Sequence, residues 1–158
     1  MKTQVGFEQF AALLLFVSST SFLIYQILSY YPTYLSEVKR QTLFSEAYQI
    51  SELLVNDVGQ PADWNLENVL RIGLLDETLN KTNVVSITKV KYANKTCVES
   101  YNSFKQLLDL KNELSFVVYL EGKVIANCSR PLGERAVKVS RIISFSNGSY
   151  GELVMWLY

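Results

Sequence analysis

The sequence predicts an α+β fold, with a long N-terminal helical spine packed distally against a small antiparallel β-sheet domain. Three observations predict it. The stretch from Gln9 to Ser36 holds no charged side chain, apolar residues then recur at helical spacing as far as Leu54, and the C-terminal half carries alternating β-branched and aromatic runs between turn signals. At 158 residues the chain has room for one modest extramembrane domain plus an anchor, and a two-domain enzyme is not expected.

The spine comes first. About 20 apolar residues suffice to cross a bilayer, and the uncharged stretch exceeds that length. A cleaved secretory signal would be shorter and would open on basic residues, whereas here Phe22-Leu23-Ile24-Tyr25 continues past the small residues Ser18 to Ser21 and Glu8 heads the run. A carboxylate at the edge of a membrane segment is costly without a cation, so Glu8 implies a partner. Tyr25, Tyr30, Tyr31 and Tyr34 collect at the far end as an interfacial belt. Pro32 permits either a kink or a break.

Beyond Pro32 the pattern becomes amphipathic. Leu43, Ala47, Ile50 and Leu54 form a stripe that Phe44 and Tyr48 widen, while Glu37, Lys39, Arg40, Glu46 and Glu52 lie mostly off it. Gly59 and Pro61 stop the helix near Asn56 or Asp57. A spine of that length would extend roughly 75 Å if Pro32 only bends it.

Residues 58 to 83 read mostly as connection, with Trp64 as an anchor and Val69 to Leu74 as a short strand. Asn56, Asp57 and Asp63 do not have the spacing of a calcium loop, and no metal site or cofactor is expected. Ser86 suits the N-cap of a helix through Tyr92, although Val84 to Val90 suits a strand equally. A helix is expected over Val98 to Leu110, with Tyr101, Phe104, Leu107, Leu108 and Leu110 giving it a core-facing side. Leu114 to Leu120 pairs with Val124 to Cys128 across Gly122. Asn147-Gly148 signals a type I′ hairpin between the run containing Val137, Val139, Ile143 and Phe145 and the run Leu153 to Leu157. Four antiparallel strands then pack on the Leu43 to Leu54 stripe.

Composition narrows the function classes. Fifteen basic and 15 acidic residues balance with no basic stripe, so nucleic-acid binding has no electrostatic footprint. The absence of histidine removes the commonest general base and transition-metal ligand, and the scattered acidic residues form no catalytic constellation, so no enzyme activity is expected. Cys97 and Cys128 read as a disulfide if the region beyond the span is extracytoplasmic, closing a loop of about 30 residues. Asn-x-Ser/Thr sequons begin at Asn80, Asn94, Asn127 and Asn147 and suggest a glycosylated surface, with Asn80 and Asn94 the more accessible by sequence context.

Gln4-Val5-Gly6-Phe7-Glu8 ahead of a hydrophobic helix resembles the signal of type IV pilins, and most closely the archaeal branch with a class III signal. The resemblance covers residues 1 to about 57. It implies cleavage by a prepilin peptidase between Thr3 and Gln4, leaving Gln4 as the new N-terminus and Glu8 fifth; Thr3 stands where glycine or alanine is more usual, and Gly6 where serine is frequent. Residues 1–3 would be the leader, 4–31 the transmembrane and filament-core helix, 32–57 its amphipathic extension and 58–158 an extracellular α+β domain. The resemblance further implies a bitopic precursor in the cell membrane, extruded by an assembly machine into a cell-surface filament of itself or of mixed subunits. There Glu8 would meet the Gln4 α-amine of a neighbour. The alternative is a single-pass anchored extracellular binding module that does not polymerise.

Overall fold

The computed structural model describes residues 2–79, 81–131, 133 and 136–158, the side chains of residues 2–5 excepted. One helix, α1, runs from Lys2 to Asn56 and continues through Pro32. It ends at the position that Gly59 (φ 82°) and Pro61 predict. The chain divides into two compact units, residues 1–39 and 40–158. The first is helix alone, and its apolar side chains are exposed: Leu15 is 71% accessible, Phe16 68% and Tyr30 69%. This helix is long and apolar enough to cross a membrane, with none of its most apolar window buried.

The second unit begins inside α1 and holds β1 (Val84–Val85), α2 (Ile87–Glu99), α3 (Tyr101–Leu107), β2 (Leu114–Leu120), β3 (Lys123–Cys128), β4 (Val137–Phe145) and β5 (Tyr150–Leu157). The strands form one sheet in the order β1-β4-β5-β2-β3. The expected four antiparallel strands are all present, but the sheet is mixed, because β1 adds a fifth strand parallel to β4, with Val84 opposite Ser144. Parallel pairing is open to β1 because α2, α3 and two strands separate it from β4, enough chain for a crossover.

Alternation along each strand sends one set of side chains inward. Leu114, Phe116 and Val118 of β2 stand opposite Leu157, Met155 and Leu153 of β5 and form the core with Val139, Ile143 and Phe145 of β4. Ala47, Ile50 and Leu54 of α1, Val90, Ala93 and Cys97 of α2, and Phe104 of α3 complete it, Phe104 stacking on Phe116 at 5.6 Å between ring centroids. Phe44 and Tyr48 remain half-exposed at the margin and do not widen the buried stripe as expected.

Several boundaries differ from the sequence expectation, each for a local reason. Val84 to Val90 is neither all strand nor all helix. Ser86, with extended backbone and no side-chain cap bond, separates β1 from α2. α2 then runs past Tyr92 to Glu99, and the helix expected over Val98 to Leu110 is reduced to α3 by a break at Ser100. Val69 to Leu74 is not a strand; it contributes only an isolated bridge from Arg71 to Gln60. The type I′ turn expected at Asn147-Gly148 is found instead at the other hairpin, for which no type was expected. Glu121 and Gly122 both have positive φ (48° and 79°), as a type I′ turn requires. At Asn147-Gly148 only Gly148 is positive (83°), and its N–H donates to the Phe145 carbonyl at 2.8 Å, a type I turn followed by a bulge.

Candidate assembly site

Thr3 and Gln4, which flank the expected cleavage point, lie in the first turn of α1, and their side chains are outside the described residues. Glu8 follows on the same helix. Its side chain is exposed and has no hydrogen bond or ion pair among the described residues. Over the next turns the hydroxyls satisfy themselves: Ser18 donates to the Leu15 carbonyl (3.0 Å), Ser19 to Phe16 (2.9 Å) and Thr20 to Phe16 and Val17 (both 3.0 Å). Glu8 is therefore a carboxylate at the head of an apolar, accessible helix, without a partner among the described residues.

In residues 40–158 the expected cysteine pair is joined. Cys97 of α2 and Cys128 of β3 form a disulfide with Cα atoms 6.0 Å apart, inside the usual span, and both are buried in the core. One helical turn earlier, Asn94 accepts the Asn127 backbone N–H on Oδ1 at 2.8 Å, so α2 covers the outer edge of β3 through two ties. Of the four sequons, Asn80 lies outside the described residues. Asn127 and Asn147 are exposed and accept the hydroxyls of Ser129 and Ser149 on Oδ1, whereas Asn94 sits half-buried inside α2 and Thr96 donates instead to the Tyr92 carbonyl (3.0 Å).

Two charged residues that sequence reasoning passed over organise this unit. Lys89 is 3% exposed, and its ammonium donates to the carbonyls of Val58 (3.0 Å), Ala62 (2.6 Å) and Leu75 (3.0 Å) while meeting Glu77 at 2.6 Å. It clamps the connection after α1 onto α2. Trp64 anchors the same segment as expected, its indole N–H donating to the Gly73 carbonyl at 2.8 Å. Arg141 points inward from β4, stacks 4.2 Å above the Tyr48 ring and contacts Ser51 (3.0 Å) and Glu52 (2.6 Å), which fixes the last turns of α1 to the sheet. Asp57, one of the acidic residues near the helix end, is taken up by the Gly59 N–H (2.7 Å) and Arg71 (2.8 Å).

A groove of about 690 Å³ borders Tyr101, Glu113, Arg130 and Tyr158. Two of its titratable groups, Glu113 and Tyr101, are engaged within the chain. Glu113 pairs with Lys105 at 2.7 Å, which holds its carboxyl below the usual range, and the Tyr101 hydroxyl donates to the Leu114 carbonyl at 3.0 Å. Burial pushes the Tyr101 phenol up to about 12, so it stays neutral. Comparison with family models, with curated proteins and with solved structures finds no match to this chain.

Proposed function

We propose that this chain is a structural subunit of an archaeal type IV pilus-like surface filament, trimmed by a prepilin peptidase after Thr3 and polymerised through its N-terminal helix. The observation that carries the reading is the contrast within α1. Residues 6–35 present exposed apolar side chains, headed by the Glu8 carboxylate, which has no partner among the described residues, while the same helix from Ala47 onward contributes to the core of the second unit. Such a chain is built to satisfy one end inside a larger assembly. The Gln4 α-amine created by cleavage supplies the cation that Glu8 lacks. The Cys97–Cys128 disulfide supports an extracytoplasmic position for residues 40–158, where the exposed Asn127 and Asn147 are the candidates for glycosylation. The engagement of Glu113 by Lys105 and of the Tyr101 hydroxyl by the Leu114 carbonyl supports a structural role for that groove.

The test is the chemistry of the mature N-terminus together with the composition of surface filaments. Mass spectrometry is expected to find Gln4 first with a free amine, and peptide mapping of purified filaments to recover residues 40–158. An uncut Met1, a Gln4 cyclised to pyroglutamate in assembled filaments, or filaments lacking this chain would overturn the reading in favour of a monomeric anchored binding module.

A further inference from the structure

Among the asparagines of the chain only Asn147 is followed by glycine. It lies at the tip of the β4–β5 turn, where Ser146, Asn147 and Gly148 are all exposed. Its side chain is held in place: Oδ1 accepts the Ser149 backbone N–H at 3.0 Å and the Ser149 hydroxyl at 2.5 Å. Nδ2 takes part in no hydrogen bond among the described residues. The Gly148 α-carbon stands in open space, and a β-carbon there would meet nothing within 4 Å. Asn127 shares the exposure and the bond from a following hydroxyl, that of Ser129. It differs in sitting within β3, paired with Val117 and followed by the buried Cys128.

An asparagine amide is electrophilic at Cγ, and the backbone nitrogen of the next residue is its nearest nucleophile. Two donors on Oδ1 draw electron density from that carbon, as the donors of an oxyanion hole do. We propose that Asn147, when it carries no sugar, is a site of spontaneous covalent modification, cyclising onto Gly148 and opening to aspartate or isoaspartate. The Gly148 nitrogen bonds to Cγ, its proton passes through water to Nδ2, the Cγ–Nδ2 bond breaks, and ammonia leaves behind a closed imide. Water then cleaves one of the two acyl bonds of the imide nitrogen. Cleavage at Cγ gives aspartate; cleavage at the main-chain carbonyl gives isoaspartate, whose backbone runs through the side-chain carbon. The Gly148 N–H donates to the Phe145 carbonyl at 2.8 Å, so attack takes place when the turn opens. Exposed loop tips open at small cost, whereas Asn127 is freed only when β3 leaves β2. A sugar on Nδ2 removes the ammonia leaving group, so at this residue glycosylation and cyclisation exclude each other. Isoaspartate adds a methylene to the main chain of the turn that sets the β4–β5 register. The inference rests on no part of the filament reading.

The test uses the full chain, made in cells that lack N-glycosylation and held in detergent at mildly acidic and mildly alkaline pH. Peptide mapping by mass spectrometry follows each amide-to-acid conversion, and enzymatic methylation labels isoaspartate. Conversion at Asn147 is expected about tenfold faster than at the exposed Asn68, Asn102 or Asn127, and faster at alkaline pH, because the attacking nitrogen must lose its proton. Asn147→Gln, which cannot close the same ring, is expected to stay intact at that position. A synthetic peptide of residues 144–150 gives the rate for a turn that is always open. Conversion no faster at Asn147 than at Asn127 overturns the proposal. So does rapid conversion of the peptide with none in the folded chain, which would show that the bond to the Phe145 carbonyl keeps the turn closed. Neither result bears on filament assembly, and failure of assembly leaves the modification standing.

Discussion

In residues 1–39, α1 exposes Phe, Leu, Ile and Tyr side chains along its length, whereas from Ala47 the same helix inserts Ala47, Ile50 and Leu54 into a core shared with five strands. The two regions handle polar groups in opposite ways as well. In the second, Lys89, Arg141 and Asp57 each find partners within the chain. In the first, Glu8 and Gln26 find none among the described residues. The two halves differ in pattern, apolar all round in the first and striped in the second, and in whether the chain returns to cover them. The first half therefore leaves its apolar side chains uncovered by the chain itself, whereas the second contributes to a core of its own.

The sharpest way to break this comparison is to alter one region and look for a response in the other. Glu8→Ala is expected to abolish filaments in electron micrographs while leaving the unfolding of residues 40–158 within about 0.5 kcal/mol of wild type, since the site is remote from that core. Normal filaments in this variant would remove Glu8 from assembly. Lys89→Met is the converse. It leaves the Val58, Ala62 and Leu75 carbonyls without their donor, and a loss of about 3–5 kcal/mol is expected by denaturant titration of the full chain in detergent. A loss below about 1 kcal/mol would mean that water replaces the ammonium and that the clamp is not needed.

The double change Cys97→Ala/Cys128→Ala follows, with an expected loss of roughly 3 to 4 kcal/mol for a loop of this length. Because Asn94 ties the same helix to the same strand, β3 is expected to stay docked in the folded state. Hydrogen exchange at the Asn127 amide checks this: strong protection in the reduced or double-variant protein is the expected result, and full exchange there would show that the disulfide alone holds the edge. Neither change is expected to alter association through residues 1–39.

Much of the fold was legible in the sequence because hydrophobic periodicity reports burial directly. The spine, its end near Asn56 and four of the five strands follow from spacing, and the cysteine pair from reading the region beyond the span as extracytoplasmic. What escaped was decided by tertiary context. Two residues suffice for β1 only because β4 supplies a template beside them, and the turn types depend on backbone angles that Gly148 and Glu121 adopt once the strands twist. Lys89 and Arg141 did leave a signal. Each is a charge standing in phase with buried neighbours, Lys89 with Ala93 and Cys97 on α2, and Arg141 with Val139 and Ile143 on β4. A charge at a core position forecasts a buried network, although its partners, scattered between Ser51 and Glu77, could not be named in advance. At the candidate site, Glu8 stood out as a charge at the head of an apolar run, and its lack of a partner among the described residues needed the structure.

The smallest expected effect is on pH dependence, and it separates the two regions by their titratable groups. Asp76 is 7% exposed, and its carboxylate accepts from the Thr78 hydroxyl (2.5 Å) and backbone N–H (2.9 Å). These bonds, the hydroxyl first, outweigh the burial that opposes ionisation and hold its pKa below the ordinary 3.8. A carboxyl whose folded pKa is depressed contributes stability that is fully present above the unfolded value and is lost as pH falls through the folded one. Residues 40–158 should therefore weaken from about pH 4.5 downward, where Glu113, lowered from 4.5 by Lys105, adds a contribution of the same sign. In Asp76→Asn the unfolding midpoint should fall less steeply across that window; an unchanged slope would assign the acid sensitivity to other groups. Residues 1–39 carry carboxylates at Glu8 and Glu37, and protonating Glu8 relieves repulsion between parallel copies, so association through α1 should not fall across the same range. If association declines in step with the stability of residues 40–158, the two regions are coupled and the division between them fails.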